Sequence, residues 1–150
     1  MESRLLKSGS MAFLINITAA NAAIAGDDLS LVKAMGSLQY FAHKTSLAID
    51  KQNIKLASFY AHEIEEIIEV IENIEEFKGY PISELTRNKL IPPFEKFENA
   101  LKTNDWNNIN KKFNQMVDGC NLCHTATHHE FIKIEKPDDN YFMQSFDIVN

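Results

Sequence analysis

The sequence predicts an all-α fold, an antiparallel four-helix bundle with an extended C-terminal tail packed over it. Three observations lead to this prediction. Apolar residues recur every three or four positions in four stretches, as they do on the buried faces of helices. Short segments containing Gly, Pro, Asn or Asp separate the stretches, and short connections favour antiparallel neighbours. The 150 residues fit a single domain with its own core.

The first helix is predicted to begin at Asp27 or Asp28, either of which can cap an N-terminus. It should end at Gln52-Asn53, and the second helix should run from Asn53 to the stop at Gly79-Tyr80-Pro81. The predicted inward residues are Leu31, Met35, Leu38, Ala42 and Ile49 in the first helix and Leu56, Tyr60, Ile64, Ile67, Ile71 and Ile74 in the second.

Ser83 is the predicted cap of the third helix, and Asn104-Asp105 that of the fourth. Pro92-Pro93 should kink the third helix or divide it in two, because proline lacks an amide donor and clashes with the preceding turn. The predicted inward residues are Leu90, Phe94, Phe97 and Leu101 in the third helix, and Trp106, Ile109, Phe113, Met116 or Val117, Cys120, Cys123 and His124 in the fourth.

Beyond His129 the helical period is lost. Pro137-Asp138-Asp139-Asn140 has the composition of a turn. Apolar residues are scattered through this tail, among them Phe131, Ile132, Ile134, Tyr141, Phe142 and Phe146. We therefore expect the tail to fold back over the bundle.

The fourth helix carries the strongest functional signal, Cys120-x-x-Cys123-His124, which contains both cysteines of the chain. This spacing is that of a c-type haem attachment site, where two thiols bind the vinyl groups of a porphyrin and the following histidine binds the iron. Positions i, i+3 and i+4 share one face of a helix. Because the motif lies on the predicted buried stripe, the haem is expected inside the bundle.

Other uses of the two cysteines fit less well. A thioredoxin-type pair would open a helix after a strand, and two cysteines within one helix seldom form a disulfide without distortion. A zinc site would need a fourth ligand besides Cys120, Cys123 and either His124 or His128.

The helical pattern together with Cys120, Cys123 and His124 resembles the class II cytochromes c, the cytochrome c-prime and cytochrome c-556 type, over residues 27–129. The resemblance implies thioether bonds at both cysteines and His124 as the proximal iron ligand. It also implies redox partner proteins, and a homodimer is common in that family. Two features depart from it: a tail of about twenty residues follows the motif, and Thr127-His128-His129 stands where a basic residue is usual.

The resemblance implies a distal ligand from the first helix, where Met35 and His43 are the candidates. A methionine or histidine ligand makes a low-spin electron-transfer centre, whereas an open position binds small gases such as nitric oxide or carbon monoxide. Met35 could equally fill a gap in the core, and the preferred interpretation of His43 is a surface histidine bonded to a neighbour.

The N-terminus has the three parts of a secretory signal: Arg4 and Lys7, the apolar stretch 11–20, and the small residues Ala23-Ile24-Ala25. We predict that residues 1–25 are a signal peptide and that 26–150 form the haem-binding domain of a periplasmic protein. The alternative is an additional packed segment. The stretch is too short and interrupted to span a membrane.

The remaining groups have ordinary explanations. The net charge of −6 disfavours nucleic acid as a partner and leaves a basic docking partner open. His62, Glu65 and Glu66 have a metal-binding spacing, but a solvated acidic face is the preferred interpretation. His128 and His129 are predicted to cap the last helical turn. We predict a non-enzymatic, electron-transferring cytochrome; the alternatives are a gas-binding haem protein and a haemless helical interaction domain.

Overall fold

The computed structural model describes the backbone of residues 18–149 and the side chains of residues 30–149. Arg4, Lys7 and most of the stretch 11–20 lie outside the described residues, so the predicted signal peptide remains a prediction. The helices are α1 (Thr18–Asp50), α2 (Ile54–Glu72), α3 (Ile82–Leu85), a π-helical turn (Thr86–Leu90), α4 (Ile91–Leu101) and α5 (Trp106–Ala126). The all-α prediction is confirmed, since the described residues contain no β-strand.

The four long helices surround one core. α1 contacts α2 and α5, and α4 contacts the same two helices from the other side. The largest fully buried side chains come from α2, α4 and α5, namely Ile64, Ile71, Phe97, Ile109, Phe113 and Met116. Burial therefore follows the predicted apolar stripes, with Ile68 more deeply buried than the predicted Ile67.

The first helix begins earlier than predicted. α1 starts at Thr18, so Asp27 and Asp28 lie inside the helix and the predicted cap there is wrong. The segment between Thr18 and Asp27 is rich in alanine, the strongest helix former, and this extends the helix toward the N-terminus. The predicted break is confirmed: Gln52 adopts a φ of 52°, and the Asn53 side chain caps α2 by accepting from the Leu56 amide at 3.2 Å.

The second helix ends earlier than predicted. It stops at Glu72, where the Asn73 side chain donates to the Glu69 carbonyl at 2.8 Å. Gly79 instead belongs to a tight turn in which Lys78 and Gly79 both have positive φ and Phe77 and Tyr80 exchange two backbone hydrogen bonds. Two consecutive residues with positive φ are typical of such two-residue turns.

The third helical stretch contains the predicted interruption. α3, the π-helical turn and α4 follow one another directly, and Pro92 and Pro93 lie in the first turn of α4. The Ile91 amide, directly before them, donates to the Thr86 carbonyl five residues earlier, whereas the two prolines have no amide hydrogen to donate. Ser83 is buried within α3 and Pro81 is in the capping position, so the predicted Ser83 cap is wrong.

The tail, residues 127–149, contains no helix and bends at Asp138-Asp139, within the predicted turn. Near its end Phe146 is buried, and Asn53 Nδ2 donates to the carbonyls of Phe146 and Asp147 at 3.1 and 3.2 Å. Phe131 and Tyr141 are exposed. Only part of the predicted apolar set in the tail is therefore buried.

Candidate functional site

The helix that carries the cysteine motif is well defined at its N-terminus. As predicted, Asp105 caps α5, because its side chain accepts from the amides of Asn107 and Asn108 at 3.1 and 3.2 Å. The apolar stripe then uses Met116, which is almost fully buried, while Val117 is partly exposed. Cys120 and Cys123 continue this stripe toward the C-terminal end of the helix.

Gly119, directly before the motif, allows α5 to lie close to the π-helical turn. A methyl group at Gly119 would lie 2.6 Å from the Lys89 carbonyl oxygen and 3.0 Å from Cγ of Pro93. Pro93 has no amide hydrogen to offer the Lys89 carbonyl four residues earlier. Glycine is therefore the residue that this helix contact permits, and the contact determines where the motif lies.

The two cysteines and the histidine of the motif line one cavity of about 410 Å³. Its other walls come from α1, the segment from Phe77 to Leu90, and the tail residues Ile132 and Ile134. The lining is mostly apolar, and the volume lies within the roughly 300–1,000 Å³ of usual small-molecule and cofactor sites. The structure therefore brings Cys120, Cys123 and His124 together in the lining of one mostly apolar cavity.

The two thiols are unpaired and partly buried. Both cysteines are free, and Cys123 Sγ lies 3.7 Å from the Leu85 carbonyl, to which it donates. Burial raises the pKa of Cys120 to about 12 and that of Cys123 to about 11. Because thiol redox chemistry needs a thiolate, these protonated groups do not favour a thioredoxin-type site.

His124 is oriented by a backbone carbonyl of the tail. Its Nδ1 lies 2.6 Å from the Ile132 carbonyl oxygen. A carbonyl only accepts, so Nδ1 carries the proton and Nε2 holds the lone pair that can bind a metal. Such a bond from the second ring nitrogen is the usual way in which proteins orient metal-binding histidines.

Of the two predicted distal residues, only Met35 lines this cavity. His43 lies beside a separate cavity of about 70 Å³, and its Nε2 lies 3.2 Å from the Asp139 carbonyl. Its ring contacts those of Phe142 and Tyr141, with centroid distances of 4.8 and 6.2 Å. The structure thus brings Met35, but not His43, to the cavity of the motif.

A second histidine lines the cavity, although the sequence analysis did not place it there. His129 is among the lining residues, and its Nδ1 donates to the Thr127 carbonyl at 2.6 Å. Backbone amides cap the last turn of α5, with His128 donating to Thr125 at 3.2 Å and His129 to His124 at 2.7 Å. The predicted capping by these residues is therefore made by their backbone.

The acidic face of α2 has the expected solvated character. His62 is exposed and lies 3.3 Å from Glu65 and 3.6 Å from Glu66. The hydrogen bond to Glu65 raises the pKa of His62. Across the described residues, no group of three or more His, Cys, Asp or Glu side chains is arranged to hold a metal ion.

Comparison of the chain with protein-family models, with curated proteins and with solved structures finds no match in any of the three. Among the described helices, none combines the length and apolar character needed to cross a membrane. The functional argument therefore depends on the cavity and on the residues that line it.

Proposed function

We propose that this chain is an exported monohaem c-type cytochrome that transfers single electrons. One observation carries the proposal: both thiols, the His124 ring and Met35 line the same apolar cavity. A covalently bound haem requires two free thiols, an imidazole whose Nε2 holds the lone pair, and mostly apolar walls. The residues present therefore fit this cofactor.

Each side chain has a distinct role in this proposal. Cys120 and Cys123 would hold the porphyrin by adding their S–H groups across its two vinyl double bonds. The sulfur binds one vinyl carbon and the hydrogen the other, so the addition needs no oxidant. His124 would bind the iron through Nε2, while the Ile132 carbonyl keeps the ring in that tautomer. When bound, the haem supplies a one-electron couple.

Met35 supports electron transfer over gas binding. It is partly buried and lines the cavity from α1, whereas the cysteine motif lines it from α5. A methionine ligand to iron is characteristic of low-spin electron-transfer centres. We assign Met35 as the distal ligand in preference to His43, because His43 Nε2 is already bonded to the tail.

The proposal includes the architecture and the location of the protein. The helices would form an antiparallel four-helix bundle with the tail packed over it, as the ring of helix contacts and the buried Phe146 support. Residues 1–25 would direct export to the periplasm, where c-type haem is attached. Redox partner proteins would dock near the cavity, and the net charge of −6 favours partners with a basic face.

Visible absorption of protein produced in a host with haem-ligation machinery tests the proposal. We expect a covalently bound haem and a low-spin reduced spectrum with sharp α and β bands. Met35→Ala should convert this spectrum to high spin, since loss of a true ligand opens the sixth position. His43→Ala is the matched control and should leave it low spin.

Each of the other outcomes is informative. A wild-type spectrum that is high spin and shifts with carbon monoxide would favour gas binding. No Soret band would contradict both haem functions. An unchanged spectrum for Met35→Ala would remove Met35 as the ligand.

A further inference from the structure

Asn121, between the two cysteines of the motif, makes a two-point contact with the tail. Its Nδ2 donates to the Ile134 carbonyl at 2.9 Å, and its Oδ1 accepts from the Ile134 amide at 2.8 Å. One side chain thus satisfies both backbone groups of a residue thirteen positions later, as a neighbouring strand would.

The second contact between the same two segments is the hydrogen bond from His124 Nδ1 to the Ile132 carbonyl, at 2.6 Å. Asn121 and His124 are three residues apart and therefore lie on one face of α5. Ile132 and Ile134 are two residues apart in the tail, and both line the cavity. The tail segment 132–134 is therefore held along the face of α5 that carries the proposed iron ligand.

Two backbone hydrogen bonds after α5 fix only the start of the segment 132–134. The Ile132 amide donates to the His129 carbonyl at 2.8 Å, and the His129 amide donates to the His124 carbonyl at 2.7 Å. These bonds lie before the Ile132 carbonyl in the chain. Beyond it, the contact that ties the segment back to α5 is the pairing of Asn121 with Ile134.

We infer that Asn121 is a positioning residue that holds the Ile132 carbonyl on His124 Nδ1 through the backbone of residues 132–134. This inference rests on the proposed function for its consequence. A hydrogen bond from Nδ1 makes the imidazole a stronger electron donor, and stronger donation stabilises ferric over ferrous iron. Asn121 therefore lowers the reduction potential without touching the haem iron.

The test compares Asn121→Leu, which has a similar size but cannot pair, with Asn107→Leu. Asn107 is an exposed asparagine of the same helix that makes no side-chain hydrogen bond within the described residues. In the haem-free chain, we expect amide hydrogen exchange at Ile134 to accelerate about tenfold in Asn121→Leu, as expected for a lost hydrogen bond. The ¹⁵N signal of His124 Nδ1 should move toward that of a tautomer mixture.

In the haem-loaded protein, we expect Asn121→Leu to keep the covalent haem and its low-spin spectrum while its reduction potential rises. Asn107→Leu should match the wild type in every measurement. If Asn121→Leu does not fold, Asn121→Ala serves instead, because it also removes both the donor to the Ile134 carbonyl and the acceptor for the Ile134 amide and adds no charge. It should give the same changes in the same directions.

Two results would overturn the inference: unchanged exchange at Ile134, or faster exchange with an unchanged His124 signal and an unchanged potential. Failure of the proposed function looks different. In that case the wild-type chain takes up no haem, and the exchange and ¹⁵N measurements on the haem-free chain still decide whether Asn121 positions His124.

Discussion

His124 and His43 both make a hydrogen bond to a backbone carbonyl of the tail, yet they use opposite ring nitrogens. His124 donates from Nδ1 to Ile132, and His43 donates from Nε2 to Asp139. The first bond leaves Nε2 of His124, a residue that lines the 410 Å³ cavity, without this engagement, whereas the second engages Nε2 of His43 and leaves that ring among tail aromatics. The same kind of contact therefore leaves Nε2 of one histidine able to bind a metal and uses Nε2 of the other to hold the tail.

The comparison shows that the tail has two halves with different functions. Residues 132–134 contribute cavity wall and orient His124. The later half, from Phe142 to Asp147, attaches to α1 and α2: Lys44 donates to Gln144 at 2.9 Å, and Asn53 holds the Phe146 carbonyl. Site chemistry should depend on the first half, and stability on the second.

The largest expected difference lies between the two histidines themselves. His124→Ala should lower covalent haem content at least about tenfold, because the proposed proximal ligand is lost. His43→Ala should keep wild-type haem content, since its ring does not line the main cavity. Pyridine haemochrome absorbance per mole of protein measures both. Equal losses would contradict the separation of the two sites.

Asn53→Ala should detach the later half of the tail from α2 while leaving the cavity residues in place. It removes the α2 cap and two hydrogen bonds from a buried amide, so we expect unfolding to become easier by about 2–3 kcal/mol. The control is Asn73→Ala at the other end of α2, where an exposed side chain makes a single hydrogen bond; it should cost less than about 1 kcal/mol. Urea unfolding of the haem-free chain gives both values, and similar losses would argue against the tail contact.

The helices that carry the two histidines each contain a glycine, and replacing it by alanine should change the stability of the fold in opposite directions. In α5, Gly119→Ala would force a methyl group against the Lys89 carbonyl, and overpacking of about 1–3 kcal/mol should exceed the helix-propensity gain of about 1 kcal/mol. In α1, Gly36→Ala meets no atom within 4 Å and should stabilise the chain by about 0.5–1 kcal/mol. Urea unfolding should therefore give opposite signs. Stabilisation in both variants would show that the close helix contact is absent.

The smallest effect concerns the ion pair at the end of the tail. Lys51 lies 3.0 Å from Asp147, and it lowers the Asp147 pKa together with Ser145. A depressed carboxyl pKa stabilises the fold above the unfolded value of 3.8, and that contribution disappears as the pH falls through the folded pKa. Asp147→Asn should be slightly less stable than the wild type at neutral pH and equal to it once the acid is protonated. A constant difference across that range would exclude this pair as its source.

Local signals in the sequence were sufficient for much of the fold. Asp105 and Asn53 cap the helices predicted for them, because an N-cap depends on hydrogen bonds to residues two or three positions away. The prediction that Cys120, Cys123 and His124 share one face likewise required only the geometry of a single helix. The end of α2 was missed because Asn73 stops the helix before Gly79 is reached.

Contacts between distant segments could not be predicted in the same way. The close approach at Gly119 depends on a carbonyl thirty residues earlier, in a π-helical turn that has no sequence signature of its own. The pairing of Asn121 with Ile134 joins a helix to an irregular segment, where no periodicity indicates which residues meet. Met35 and His43 were both candidates on one helix, with a surface role preferred for His43, and the structure places Met35 at the main cavity and bonds His43 to the tail.

The position of the Ile132 carbonyl in the chain has a consequence for the order of synthesis. During translation, α5 and its two cysteines emerge before the residues that line the last wall of the cavity and orient His124. A nascent chain that has reached only residue 131 thus carries the complete cysteine motif but lacks this wall. Ile132 and Ile134, and not the motif itself, complete the pocket.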